Sequence, residues 1–183
     1  MHRIHVVDNF MSEEDINIIT NETDNPSEKL PYPDYYAKRN GGTAFPYNKV
    51  MVDMFKKYGN KANEKQKELM GYHDPIYVTK IFGSVWHPGT KGDAHIDAQD
   101  LEKFIEWSCV IYLNEYPDFE GGTIYFPHQR FEYVPKKGSA IFFPSAGTEY
   151  MHGITEVTSG LRKTFCIMQS SIKAFADPDV LIK

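Results

Sequence analysis

The chain has no long apolar run, no cluster of basic residues and only two cysteines among its 183 residues. Each shortage removes a class of function. The opening stretch "MHRIHVVDNF" carries a short apolar patch before an acidic segment, far less than a secretory core or the ~20 apolar residues of a membrane span. A cytoplasmic protein without a membrane partner is therefore expected. Twenty Lys and Arg are outnumbered by 25 Asp and Glu, for a net charge of −5, and they are scattered, so no basic field gathers nucleic-acid phosphates. Cys109 and Cys166 sit in the apolar runs "WSCVIYL" and "TFCIMQ", where buried free thiols are expected rather than a disulfide or a metal pair. Internal repeats and low-complexity segments are missing too, and nothing signals an oligomeric state.

What is present favours strands. Aromatic residues make up 14% of the chain and apolar residues 41%, globular usage with an excess of Tyr and Phe. One domain is expected over residues 1–183, since no linker divides it. "RIHVVDNF" reads as a short strand. A helix should follow Ser12, which stands at an N-cap position with Asp15 three residues on, a short-armed capping box. Met51, Met54, Phe55 and Tyr58 recur at the spacing of a second amphipathic helix, and "NKANEKQKELMG" reads as a solvated helix or turn. From residue 76 to 173 the pattern changes. "PIYVTKIFGSVW", "SCVIYLN", "TIYFP", "FEYVP", "SAIFFP" and "KTFCIMQSS" alternate with turns at Gly121-Gly122, Pro135 to Gly138 and Ser159-Gly160. Many short strands after helices confined to residues 1–75 predict a mainly β (α+β) sandwich or jelly roll, with the helices outside one sheet and a tail at 174–183.

The stretch "GDAHIDAQD" places His95 and Asp97 two apart, on one face of an extended segment, roughly 6.5 to 7 Å apart along it. Two ligands do not hold a metal. "GTEYMHGITEV" offers His152, 55 residues beyond Asp97. Two imidazoles and one carboxylate leave three octahedral positions open, which suits ferrous iron that must take an oxidisable co-substrate together with dioxygen. Ten residues after His152 comes Arg162, with Thr164 on the same strand face. If Arg162 lies on the antiparallel neighbour of the strand that His152 opens, its guanidinium faces the metal cavity and needs an anion, for which a dicarboxylate reaching from iron is suited.

The ordered set His95-x-Asp97, "CVIYLN", "EGGTIYF", "PKKGSAIFF", His152 and Gly160-x-Arg162-x-Thr164 resembles the iron(II)- and 2-oxoglutarate-dependent dioxygenases, in particular the prolyl 4-hydroxylase-like branch. The resemblance covers residues 77 to 171, and "IHVVDNFMSEED" is similar to the start of the domain in that branch. It implies a double-stranded β-helix (jelly roll), with iron held by His95, Asp97 and His152 as the catalytic set. 2-Oxoglutarate would chelate the iron and meet Arg162 with its far carboxylate. Tyr112 is implied as a hydroxyl donor, Thr164 as completing the Arg-x-Ser/Thr pattern and Ile124 as an apolar wall. Dioxygen is the second co-substrate, and the expected reaction hydroxylates an unactivated C–H bond with release of succinate and CO2.

Where related enzymes often carry a Tyr eight to ten residues before the first metal His, this chain reads "VWHPGTKGDAH". The roles of Trp86 and His87 therefore stay open. A loop His before Pro88 is expected to be solvated, as are His128, His73, His2 and His5. The resemblance implies a peptidyl proline as substrate, with free amino acids and other small metabolites as alternatives. The aromatic stretch "YPDYYAKRNGGTAFPYN" is a candidate lid or peptide groove. Two rival readings stand: a cupin-like metal hydrolase or isomerase using the same triad, and a non-catalytic jelly-roll binding module.

Overall fold

Ser12 has extended backbone, and its Oγ accepts the Asp15 N–H at 3.2 Å, so α1 (Glu13–Asp24) starts where the cap predicts. In this computed structural model, which describes residues 3–28 and 42–178, the reciprocal half of the box does not form. The Ser12 N–H donates to the Tyr58 hydroxyl at 3.2 Å, and the Asp15 carboxylate accepts from Ser12 Oγ, Lys57 Nζ and Tyr58 OH. Asn48 caps α2 (Lys49–Met70) by accepting from Met51 N–H at 3.0 Å, and Gly71 ends it at φ 61°. The polar run after Asn60 continues this helix. It is not simply solvated, because the stripe begun at Met51, Phe55 and Tyr58 carries on through Ala62 and Gln66, which are buried.

Twelve strands are found among the described residues: β1 (His5–Val7), β2 (Gly42–Ala44), β3 (Tyr77–Trp86), β4 (Gly92–His95), β5 (Trp107–Tyr112), β6 (Phe119–Gly121), β7 (Ile124–Phe126), β8 (Phe131–Tyr133), β9 (Ala140–Pro144), β10 (His152–Ile154), β11 (Val157–Gly160) and β12 (Arg162–Ser170). A six-stranded sheet runs β1-β9-β5-β12-β3-β2, a four-stranded sheet runs β4-β10-β7-β8, and β11 pairs with β6. All pairings are antiparallel. The fold is the expected jelly roll, without closure into a barrel.

Period-two alternation divides β12 between two environments. Phe165 and Ile167 point outward into the core formed with Phe55, Met51 and Ile19 of the helices, where burying Phe165 stabilises by roughly 1.5–3 kcal/mol. Lys163, on that same face, reaches Asp24 at the end of α1 at 2.8 Å. Arg162, Thr164, Cys166 and Met168 point the other way, between the sheets. Gly83 on β3 admits the Phe45 ring, since a Cβ there would lie 2.0 Å from it. Ile141 and Phe143 of β9 meet Ile124 and Phe126 of β7 in an inner core that joins the two larger sheets. No helix among the described residues is long and apolar enough to cross a membrane. The candidate lid stretch lies largely outside the described residues.

Candidate active site

The four-stranded sheet brings the two histidines together. His152, first residue of β10, is the antiparallel partner of His95, last residue of β4, and the ring centres are 4.6 Å apart. Each ring is set by a main-chain carbonyl: His95 Nδ1 lies 2.9 Å from Asp93 O and His152 Nδ1 3.2 Å from Tyr150 O. A carbonyl only accepts, so each Nδ1 carries the proton and donates. In the neutral imidazole this leaves both Nε2 lone pairs free for a cation. Both Nε2 atoms face Asp97, His95 at 3.3 Å from Oδ1 and His152 at 3.8 Å from Oδ2.

Asp97 arrives differently from the sequence expectation. β4 ends at His95, so Asp97 stands in an irregular bend and not on the strand. Its side chain is 8% exposed and its Oδ2 accepts from Ser108 Oγ at 2.6 Å. Burial alone would push this carboxyl up, but His95, His152 and Ser108 outweigh it and hold it below the usual range. Burial pushes His152 down, against the pull of Asp97. His95 is raised, because its protonated ring can bond to Asp97 more than burial opposes the charge. One ligand atom from each of His95, Asp97 and His152 lies within 4.8 Å of the others.

Arg162 is not on the neighbour of the His152 strand. β10 pairs with β4 and β7, while β12 pairs with β3 and β5 in the other sheet, so the guanidinium and the histidines face one cavity from opposite walls. That cavity is about 500 Å³ and is lined by His95, Asp97, His152, Ile124, Arg162 and Thr164, together with Trp86, Ser84, Ser108 and Cys166. Arg162 is 1% exposed. Its Nε donates to Gly122 O at 3.0 Å, while Nη2 has no hydrogen-bond partner among the described residues. Burial depresses its pKa. The guanidinium carbon lies 5.5 Å from the Trp86 ring and 5.3 Å from the Tyr112 ring. Tyr112 packs beside Arg162 and is not among the residues lining the cavity; its buried hydroxyl is likewise unpartnered among the described residues, and burial raises its pKa. Thr164 Oγ1 lies 3.3 Å from Ser84 Oγ, which accepts from Trp86 Nε1 at 3.1 Å.

A model of the 2OG-Fe(II) oxygenase superfamily matches residues 82–168, the span that holds every one of these side chains. Over that span the chain matches the superfamily's oxygenase domain. Its members use Fe(II), 2-oxoglutarate and dioxygen, and this oxygenase carries a His-Asp-His cluster suited to iron. No curated protein matches it by sequence. Among solved structures it is similar to the viral collagen prolyl hydroxylase of Paramecium bursaria Chlorella virus-1, at 19% identity and TM-score 0.69, over 94% of this chain and 97% of that one. A 2OG-Fe(II) oxygenase from Burkholderia pseudomallei gives 16% and 0.68, over 92% and 84%. A Pseudomonas putida prolyl-4-hydroxylase gives 15% and 0.65, over 93% of each. What is shared at these identities is the fold.

Of the residues expected at the site, His95, Asp97, His152, Arg162, Thr164 and Ile124 meet at the cavity. His87 is exposed and bonded to Thr43 Oγ1 at 2.9 Å, and His73 and His128 are exposed. The two cysteines form no disulfide with each other; Cys109 is buried as expected, while Cys166 is half-buried, and both border the cavity. Ser84, Ser108 and Gly122 were not expected. Strand alternation does place Ser84 with Trp86 and Ser108 with Tyr112, the only signal the sequence holds for them.

Proposed function

We propose that the whole chain acts as one hydroxylase domain in which His95 Nε2, His152 Nε2 and an Asp97 oxygen hold iron(II), and Arg162 receives the far carboxylate of 2-oxoglutarate. The observation that supports this most is the buried Arg162 guanidinium with an unpartnered nitrogen in the same cavity as the His-Asp-His cluster. An ion buried without a counter-ion costs several kcal/mol, so the cavity is built for an anion. The charges balance: iron(II) with one carboxylate contributes one net positive charge, Arg162 a second, and 2-oxoglutarate brings two negative ones. A cupin-like hydrolase using the same triad would leave Arg162 without its anion.

When bound, iron with 2-oxoglutarate and dioxygen supplies the oxidising power for C–H hydroxylation, releasing succinate and CO2. The protein positions and shields. Asp93 O and Tyr150 O keep the imidazole protons on Nδ1, Gly122 O and the Trp86 and Tyr112 faces hold the guanidinium, and Ile124 on the cavity wall and Phe126 against the His152 ring exclude water. A peptidyl proline is the substrate we favour, supported by the fold likeness to two prolyl hydroxylases. A cytoplasmic setting fits two cysteines that form no disulfide with each other.

Anaerobic addition of Fe(II) and 2-oxoglutarate should give a visible charge-transfer band, and air should then release succinate, faster with proline-containing peptides. Metal uptake with neither band nor succinate would overturn the assignment. Stimulation by a free amino acid and not by peptides would overturn the substrate class alone.

A further inference from the structure

Asp97 is the cluster member that no strand places. Two contacts from the six-stranded sheet replace the strand. The N–H of Ala98, the next residue, donates to Ser145 O at 3.1 Å, and Ser108 Oγ donates to Asp97 Oδ2 at 2.6 Å. Ser108 sits on β5 and is 3% exposed; Ser145 follows β9 directly and is 1% exposed. Their hydroxyl oxygens are 2.6 Å apart.

The direction of this pair follows from hydrogen counting. Each hydroxyl has one hydrogen, and the ionised carboxylate only accepts, so the Ser108 hydrogen goes to Asp97. Ser145 must then donate to Ser108. Its own place is held by its N–H, which donates to Glu106 O at 2.9 Å. The outcome is a buried relay, Ser145 to Ser108 to Asp97, anchored in the sheet opposite the histidines. It ties up Oδ2 and leaves Oδ1 as the carboxylate oxygen without a hydroxyl donor, 3.3 Å from His95 Nε2.

We propose that Ser108, backed by Ser145, is a positioning residue for the metal: it holds the Asp97 carboxylate in its ligating pose across the gap between the two sheets. This rests on the iron site proposed above. Groups that orient a metal ligand typically change metal affinity 10–100-fold when removed. The test is Mn(II) uptake by the metal-free protein, read from the loss of the free-ion resonance signal, for wild type, Ser108→Ala and Ser145→Ala. Co(II) spectra serve as a second readout of carboxylate binding, and 2-oxoglutarate affinity is measured at saturating Mn(II).

Ser108→Ala should weaken Mn(II) at least ~10-fold and alter the Co(II) bands, with 2-oxoglutarate affinity unchanged because none of its contacts reaches Arg162. Ser145→Ala should weaken Mn(II) by a smaller factor, about threefold, since it removes only the polarising donor. Ser108→Ala binding Mn(II) like wild type overturns the inference and leaves the iron reading standing. Equal losses of metal and 2-oxoglutarate affinity indicate general loosening and also overturn it. Should Ser108→Ala fail to fold, wild-type affinity in Ser145→Ala overturns it. A wild-type protein that takes up no metal removes the iron reading and this inference together.

Discussion

Arg162→Met separates binding from folding, because the wild-type residue is a poor contributor to the stability of the ligand-free protein. Its favourable contacts are one charged hydrogen bond to Gly122 O and two ring faces, about 1.5–3 and about 0.5–2 kcal/mol apiece. Against them stands a cation at 1% exposure with Nη2 unpartnered among the described residues, a desolvation penalty of several kcal/mol. The two sides nearly cancel. A Met of similar length should therefore leave the ligand-free melting temperature within about 4 °C of wild type, taking about 2–4 °C per kcal/mol for a chain of this size. Ligand response should differ sharply. With Mn(II) saturating, 2-oxoglutarate at about 100 times its Kd stabilises wild type by about 2.7 kcal/mol, a rise of roughly 5–10 °C. The variant should show about a third of that rise or less, since truncating one partner of a buried charge pair costs about 2–5 kcal/mol, or about 30- to 4,000-fold in affinity. Scanning calorimetry with and without 2-oxoglutarate measures both quantities. An undiminished shift in Arg162→Met would refute the counter-charge argument.

His152→Ala should abolish iron-dependent succinate release and lower Fe(II) affinity by at least ~10-fold; metal titration and turnover at wild-type levels would contradict the ligand assignment. Gly122→Ala adds a Cβ 2.6 Å from Arg162 Cδ at φ 62°, with a backbone cost of about 1–2 kcal/mol. It should weaken 2-oxoglutarate, measured by the same calorimetric shift, while Mn(II) affinity holds. For Asp15, burial raises the carboxyl but bonds from Lys57, Tyr58 and Ser12 win and hold it below its usual value. A depressed folded-state pKa gives stability that is complete above the unfolded value near 3.8 and is lost as pH falls through the folded one. Urea midpoints should therefore drop below about pH 4 in wild type and drop less in Asp15→Asn, which should also be about 1–3 kcal/mol less stable at pH 7.

Local rules carried much of the fold. Ser12 and Asn48 capped α1 and α2 because a side-chain oxygen satisfies an otherwise orphaned N–H, and that requirement is visible in a few consecutive residues. The capping box was half wrong for a tertiary reason: Lys57 and Tyr58, on another helix, outcompete the Ser12 N–H for Asp15. The polar stretch after Asn60 misled because its charges mask a sparse buried stripe at Ala62 and Gln66.

At the site, the sequence alone determined the residue types of the His-Asp-His cluster, their order and the face that Arg162 shares with Thr164, since alternation along a strand is a property of the strand itself. Only the tertiary structure decided that β10 and β12 belong to opposing sheets, that Asp97 leaves its strand, and that Ser108 and Ser145 reach it. Period two says which residues share a side, but pairing and stacking depend on contacts between segments far apart in the chain, which no local pattern encodes.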